Sequence, residues 1–423
     1  MRVKPALTLP LLLCLGSMHS AGQTADTATG IFSGAFKSLQ TYAEGNILSP
    51  PIISLGGNSR IKVEFDEMAE DSRYLRYRLI HCNADWSPSA LVETEFTNGF
   101  NLADVTDWAL SESTLAHYVH YSLTIPDDQM APTVSGNYLL QIFDQDNPDE
   151  VLLQTRFMVS ENIADISSSV TSRTDIDYNQ RHQQLYVIAD LENAGVDDPF
   201  NDLTLIISQN GRADNTATLR KPLRIGAKKA FYEHQPELIF PAGNEYRRIE
   251  MVTVHFPGRG IDHYEYAEPY YHAILSPDTP RPNTRYEYDQ DQSGRFVIHE
   301  FNADESSVQA DYVVTHFALE MPEMTDKEIW LDGDFVQRRF DPDSRMVYSN
   351  SRGAYVKTLL LKQGLYNYQY LVTDRLDSRK SATAPIEGDH YETVNEYLIL
   401  LYHRPYGARA DRLIGATSIF SGK

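Results

Sequence analysis

Short runs in which apolar and polar residues alternate recur throughout the chain, and this pattern restricts the fold more than any other feature. Successive side chains of a β-strand point to opposite faces, so an alternation with a period of two residues is typical of a half-buried strand. Clear examples lie at 61–65, 74–79, 118–123 and 138–143. Gly, Pro, Asn and Asp separate the runs, and no helical period persists. The sequence therefore predicts an all-β fold.

The chain is long enough for several domains, and its composition changes along its length. A length of 423 residues corresponds to about three domains. A polar stretch at 161–178 follows the first group of predicted strands. We therefore expect three tandem β-sandwiches of the immunoglobulin-like or early-set type, at 23–160, 161–302 and 303–423.

The N-terminal residues 1–22 have the features of a secretory signal peptide. Arg2 and Lys4 form a short basic region, an apolar run follows at 7–15, and small residues occupy 20–22. The apolar run is shorter than the ~20 residues that a membrane-spanning helix needs. The sequence therefore predicts an exported protein.

Cysteine content and charge narrow the functional classes. Removal of the signal peptide would take Cys14 with it and leave Cys82 as the only cysteine, so no internal disulfide is expected. The formal net charge is -22. Because nucleic-acid binding relies on cationic side chains that neutralise phosphates, we expect no nucleic-acid partner.

The hexamer that begins at His81 and ends at Trp86 carries the densest set of chemical groups in the chain. On a strand, adjacent His81 and Cys82 would point to opposite faces, so they could not easily bind one metal ion together. No base that could activate the thiol is evident. We therefore expect a structural role, in which Cys82 and Trp86 pack inside the first sandwich. Asn83 and Asp85 would then cap the turn after the strand.

A second candidate site matches a calcium-binding pattern. Asp289, Asp291, Ser293 and Glu300 fall at the first, third, fifth and twelfth positions of that pattern, with Gly294 at the sixth. The flanking residues alternate as strands do, whereas calcium loops of this type lie between helices. A calcium loop and an ordinary β-turn therefore both remain open.

No other pattern indicates chemistry. Common motifs of zinc proteases, serine hydrolases and nucleotide-binding proteins are missing from the sequence. Carboxylates are abundant in so acidic a chain, so a catalytic pair cannot be selected from them. We expect no catalytic residues and no cofactor, and an unrecognised hydrolase is the least favoured possibility.

Several short motifs occur in a defined order along nearly the whole mature chain. They lie at 49–55, 65–67, 81–86, 136–138, 209–212, 243–247, 361–370, 387–393, 395–397 and 411–415. Taken together, these motifs resemble the plug protein family of the type IX secretion system. The signature residues that we expect to be structural are His81, Cys82, Asn83, Asp85, Trp86, Gly243, Asn244, Glu245, Gln363, Gly364, Tyr366 and Tyr368.

The resemblance implies a non-enzymatic periplasmic protein that plugs or gates the periplasmic opening of a large outer-membrane translocon barrel. The expected partner is that barrel, and the protein would be peripheral to the outer membrane rather than spanning it. Which residues contact the barrel is not evident from the sequence.

An alternative function is carbohydrate binding at the cell envelope. Residues 330–335 and 364–370 also resemble the early-set sandwiches of glycogen-binding modules. Trp330 would be the aromatic platform for a sugar in that case. The further tryptophan expected shortly after Phe335 is replaced by Val336, Gln337 and Arg338.

Overall fold

The computed structural model describes residues 26–422, apart from the side chains of Ser378 and Arg379. The predicted signal peptide at 1–22 lies outside the described residues. Strands dominate, and the helices of the described chain have only three or four residues. The predicted all-β fold of tandem β-sandwiches is therefore confirmed.

The first sandwich contains twelve strands and one short helix. The strands are β1 Gly30–Ile31, β2 Phe36–Ala43, β3 Ile52–Ser54, β4 Ile61–Glu67, β5 Leu75–Cys82, β6 Thr97–Asn98, β7 Ala103–Asp104, β8 Asp107–Leu110, β9 Val119–Ile125, β10 Ala131–Pro132, β11 Gly136–Asp144 and β12 Asn147–Ser160, and helix α1 is Glu93–Phe96. One sheet has the order β1-β12-β11-β5-β7, with β3 beside β12, and the other has the order β2-β4-β9-β8. Their facing side chains form the first hydrophobic core.

The middle sandwich begins directly after the first. Its strands are β13 Asp165–Thr171, β14 His182–Asp190, β15 Leu203–Gln209, β16 Thr216–Leu219, β17 Arg224–Gly226, β18 Lys229–Tyr232 and β19 Ile239–Pro241, with helix α2 at Pro199–Asp202 and a 3₁₀ turn at Pro236–Leu238. One sheet has the order β13-β14-β18-β17, with β19 beside β14.

The third sandwich is inserted after β19. Its strands are β20 Arg247–Met251, β21 Ile261–Ala267, β22 Tyr270–Leu275, β23 Phe296–Ile298, β24 Tyr312–Glu320, β25 Lys327–Asp332, β26 Val347–Ser349, β27 Ala354–Lys362, β28 Gly364–Asp374 and β29 Asp377–Ala382, with helix α3 at Ser306–Gln309 and a 3₁₀ turn at Asp334–Val336. One sheet has the order β21-β22-β24-β27-β26, and in the other β28 pairs with β20, β23, β25 and β29.

The last two strands, β30 Glu396–His403 and β31 Arg412–Phe420, return to the middle sandwich and complete its second sheet, β16-β15-β30-β31. The register pairs Leu203 with His403 and Gln209 with Tyr397. The expected boundary between 161–302 and 303–423 is therefore wrong. Alternation predicts each strand but not its partner, so the sequence groups the C-terminal strands with the block that precedes them.

Strand β4 shows why the alternation predicts strands so well, and where it fails. Ile61, Val63 and Phe65 are fully buried in the first core, and the intervening residues lie at the surface of the sandwich. The alternation ends at Asp66 and Glu67, because both acidic side chains are buried. Buried carboxylates need partners. Glu67 pairs with Arg73 of the first sandwich, whereas Asp66 finds Lys362 and Tyr312 at the contact with the third sandwich.

Candidate functional site

The junction between the first and third sandwiches is built around Asp66. The Lys362 Nζ atom, at the end of β27, lies 2.6 Å from Asp66 Oδ2, and both side chains are 1% exposed. Tyr312 also donates its hydroxyl to Oδ2 at 2.7 Å. His120 Nδ1 lies 2.7 Å from the other carboxylate oxygen. The carboxylate is therefore bonded by groups from both sandwiches.

The ammonium group of Lys362 has further partners. Nζ donates to the Ser307 carbonyl at 2.5 Å and lies 4.0 Å from the centre of the Tyr118 ring. Each buried ion loses its hydration, so a buried ion pair is tolerable only when hydrogen bonds from the protein replace the lost water. Burial alone would raise the pKa of Asp66, but the charge of Lys362 and the hydrogen bond from His120 hold that pKa below its usual value.

A second contact reinforces the same junction. Asp311, just before β24, accepts the backbone N–H of Leu115 at 2.8 Å and of Ala116 at 3.1 Å. The loop after β8 is thereby fixed to the third sandwich. Gln363 fixes the position of Asp311, because its side-chain carbonyl accepts the Asp311 N–H at 2.7 Å.

The hexamer that begins at His81 lies at the junction between the first and middle sandwiches. Cys82 is fully buried, and burial raises the pKa of its thiol to about 11. Burial lowers the pKa of His81, whose Nε2 donates to the Ser135 carbonyl at 3.1 Å. A neutral imidazole and an uncharged thiol on different faces of β5 form no nucleophilic pair.

Trp86 does not lie inside the first sandwich as expected. It is only half-buried and packs on a small cluster that contains Met158 from β12 and Leu400 from β30. The guanidinium of Arg156 lies 4.2 Å from the centre of its ring. Trp86 lies in the turn that follows β5, which ends at Cys82, so its ring is beyond the strands that enclose the first core. Its backbone adopts the left-handed region, at φ 66°.

The rest of the hexamer bonds to both sandwiches. Asp85 accepts the Ser87 N–H at 3.0 Å and caps the turn. The backbone N–H of Ala84 donates to Asp411 in the middle sandwich at 2.8 Å. The carbonyl of Asn83 accepts from Asn137 at 2.9 Å, and that amide in turn accepts the Tyr402 hydroxyl. The hexamer therefore joins two sandwiches.

Two adjacent chain segments connect the middle and third sandwiches. Gly243 accepts the N–H of His390 at 2.8 Å, and Asn244 donates to the Glu387 carbonyl at 2.9 Å. Glu245 accepts the Val394 N–H at 3.1 Å and bonds to Tyr286. Burial raises the pKa of Glu245 to about 7. The segment at 243–245, which leaves the middle sandwich, is therefore hydrogen-bonded to the segment at 387–394, which returns to it.

The remaining signature residues shape the start of β28. Gly364 is required by a close approach, because a Cβ atom there would lie 2.3 Å from the Val297 carbonyl oxygen. Tyr366 donates to the Lys362 carbonyl, and Tyr368 donates to Asp278 at 2.8 Å. These residues hold the strand that follows Lys362.

The four calcium-pattern residues do not converge on a common point. Asp289 pairs with Arg248 at 3.1 Å and also with Arg259. Asp291 accepts the Ser293 N–H at 2.9 Å, which is turn geometry, and Glu300 accepts a backbone N–H within its own loop. Among the described residues, no group of three or more His, Cys, Asp or Glu side chains is arranged to hold a metal ion.

A cavity of about 1350 Å³ lies where the three sandwiches meet. Its walls include Trp86 from the first sandwich, Thr218 from the middle one and Arg338 from the third. Arg338 is paired with Asp334 at 2.6 Å, and Arg295 is paired with Glu396 at 2.6 Å. Because its arginines are largely paired within the protein, the cavity offers no evident catalytic arrangement.

Sequence reasoning missed the residues that join the sandwiches. Asp66 lies in the motif at 65–67 and Lys362 in the motif at 361–370, although neither is among the predicted site residues. The available signal was the acidic pair at 66–67, which interrupts the alternation of β4. Their pairing could not be read from the sequence because 296 residues separate them.

Comparison with known proteins identifies the family. A family model described as "Type 9 secretion system plug protein 1st domain" matches residues 36–161, which cover most of the first sandwich. The chain belongs to the type IX secretion system plug protein family. This is a secretion-system family rather than an enzyme family, and it implies a component related to type IX secretion in the cell envelope.

A solved structure extends the similarity beyond the matched domain of the plug family. A hypothetical protein from Parabacteroides merdae ATCC 43184 is 39% identical, with a TM-score of 0.92. The match covers 93% of this chain and 99% of that one. No match was found among curated proteins. In the part of the chain that the structure describes, no helix has the length and apolar character needed to cross a membrane.

Proposed function

We propose that this plug-family protein closes the periplasmic opening of the large outer-membrane translocon barrel as one rigid body. The observation that carries the proposal is the buried junction at Asp66 and Lys362, together with the hexamer and the paired connections at Gly243. Domains within a chain usually move relative to each other unless their interface is extensive. Here movement would expose an ion pair that is 1% exposed. A protein whose three sandwiches do not move relative to each other would keep the opening of the barrel closed.

The charge of the protein supports a basic contact surface on the barrel. At a net charge of -22, association with a basic rim would be fast and sensitive to salt. Binding that does not weaken as salt is raised would contradict this part of the proposal.

Conductance measurements would test the plugging function. The purified barrel is placed in a planar bilayer, and current is recorded before and after addition of the protein to the periplasmic side. We expect the current to fall with the wild-type protein. Arg224→Met, which changes an exposed ion pair of the middle sandwich, is the matched control and should close the pore equally well. An unchanged current while the protein is bound to the barrel would overturn the proposal.

The burial of Trp330 argues against the carbohydrate-binding alternative. Trp330 is 5% exposed, and its indole N–H donates to Thr373 at 2.8 Å. A buried ring cannot serve as a platform for a sugar. Binding on a glycan array that is lost when an exposed aromatic residue is replaced would revive this alternative.

A further inference from the structure

One side of the first sandwich carries an unusual exposed edge. The segment at 99–110 crosses from the edge of one sheet, at β7, to the edge of the other, at β8. All four residues of β8 are exposed, including Trp108 and Leu110, which are each 47% exposed. Phe100 on the same segment is 89% exposed. Isolated exposed apolar residues are ordinary, but several on one edge mark an interaction surface.

The backbone of this edge is unpaired on its outer side. Strand β8 pairs with β9 and, among the described residues, has no neighbour beyond it. Proteins usually protect such edges with lysine, proline or a covering loop, because an open edge accepts another strand. Here the edge instead carries Trp108 and Leu110, whose side chains point to the same face of the strand. They could contact two side chains of an added strand.

The position of the edge is fixed rather than mobile. The loop that follows β8 is held at the junction with the third sandwich by Asp311, which accepts the N–H groups of Leu115 and Ala116. Glu112 in the same loop donates its N–H to the Val308 carbonyl at 2.9 Å. The open edge is therefore continuous with an internal interface and is pre-organised for binding.

Charge and hydrogen bonding select the occupant. Asp107 begins β8 and Glu112 follows it, and both are exposed and make no ion pair within the described chain. Unpaired backbone groups and carboxylates both disfavour insertion into lipid. A second copy of this chain would bring the same carboxylates and the same net charge of -22. A basic, extended segment of another protein could pair with the free backbone groups, neutralise the two carboxylates and be attracted by the net negative charge.

We propose that β8 accepts an extended segment of the translocon barrel protein as a fifth strand on the sheet β2-β4-β9-β8. This inference rests on the proposed plugging function. The segment would present apolar side chains to Trp108 and Leu110. It would carry Lys or Arg near each end, at a spacing of roughly 16 Å that matches Asp107 and Glu112.

Hydrogen exchange on the purified complex of the full-length protein with the barrel tests the strand addition directly. The amides of 107–110 that point away from β9 should be protected in the complex and should exchange faster in the free protein. If the complex forms and the current falls but these amides are not protected, the inference is wrong while the plugging function stands. If the wild-type protein forms no complex, both fail.

Two matched variants test the side chains. Leu110→Lys should weaken binding to the barrel at least ~10-fold, because a buried contact is replaced by a charge. Val347→Lys is the control, since Val347 is 63% exposed on β26, an edge strand of the third sandwich, and this change should leave the affinity unchanged. Equal affinities for the two variants, with both folded by circular dichroism, would overturn the inference.

Two further measurements test whether a second copy of this chain or a lipid membrane binds the edge instead. Sedimentation of the free protein should show a monomer, and a dimer that Leu110→Lys dissociates would assign the edge to a second copy instead. Flotation with vesicles of phosphatidylethanolamine and phosphatidylglycerol should leave the protein unbound. Flotation that Leu110→Lys abolishes would assign the edge to lipid and overturn the inference.

Discussion

Asp66 and Lys362 are 296 residues apart in the sequence and form a buried ion pair, with Lys362 Nζ 2.6 Å from Asp66 Oδ2. Lys362 is the last residue of β27, and Asp66 is the last but one of β4. Within the first sandwich Asp66 is bonded by His120, but the ammonium group that pairs with it belongs to the third sandwich. The buried ion pair therefore forms only when the first and third sandwiches are in contact.

Replacing one partner of this pair should be strongly destabilising. We expect Lys362→Met to lower the free energy of unfolding by about 3–5 kcal/mol, because it leaves the Asp66 carboxylate buried without its counter-ion. Urea denaturation followed by tryptophan fluorescence measures the change. Arg224→Met, which removes an exposed pair with Glu233, is the control and should have little effect.

The double variant Asp66→Asn/Lys362→Met should be less destabilised than the sum of the two single changes, because the second replacement removes the charge that the first leaves unpaired. Strict additivity of the two single changes would show that the pair does not couple the sandwiches.

Glu245 should make stability depend on pH. Burial raises the pKa of its carboxyl from 4.5 to about 7. Between these values the folded protein holds a proton that the unfolded chain releases, so the contribution of Glu245 to stability falls as pH rises from about 4.5 to about 7. Burial also raises the pKa of Asp291 to about 6, so part of the slope should remain without Glu245. Glu245→Gln should reduce the dependence of the melting temperature on pH across this range, and Glu192→Gln at an exposed position should not. An unchanged slope in Glu245→Gln would contradict the assignment.

Gly364 should not tolerate a side chain. A Cβ atom there would meet the Val297 carbonyl oxygen at 2.3 Å, and backbone atoms cannot move aside as a flexible side chain can. We expect Gly364→Ala to cost about 1–3 kcal/mol or more, measured by urea denaturation. Gly34→Ala is the matched control, because nothing lies within 4 Å of its added Cβ atom. Similar stabilities for the two variants would refute the close approach.

Cys82 should be unreactive in the native protein. Its thiol is fully buried and its pKa is raised to about 11, so little thiolate forms and reagents cannot reach it. A thiol-specific dye should therefore label the protein only after denaturation, whereas Thr218→Cys at an exposed position should be labelled at once. Cys82→Ser should cost about 1–2 kcal/mol without preventing partner binding. Rapid labelling of native Cys82 would show that the hexamer is accessible.

The sequence predicted the strands because alternation is a local property. Strand β4 was recognised from Ile61, Val63 and Phe65 alone, since each points into the same core. The calcium pattern could not be decided from the sequence for a related reason. Spacing specifies which carboxylates could converge, but Arg248 and Arg259, which bind Asp289 instead, lie on other segments of the chain.

The sequence by itself determined the all-β class, the burial of Cys82 and, through its ordered motifs, the family. The tertiary structure alone decided that β30 pairs with β15 and that Asp66 meets Lys362. It also showed that the hexamer joins two sandwiches. Strand formation and side-chain burial follow from a few neighbouring residues, whereas strand partners and domain junctions depend on contacts between distant segments, which a periodic pattern does not encode.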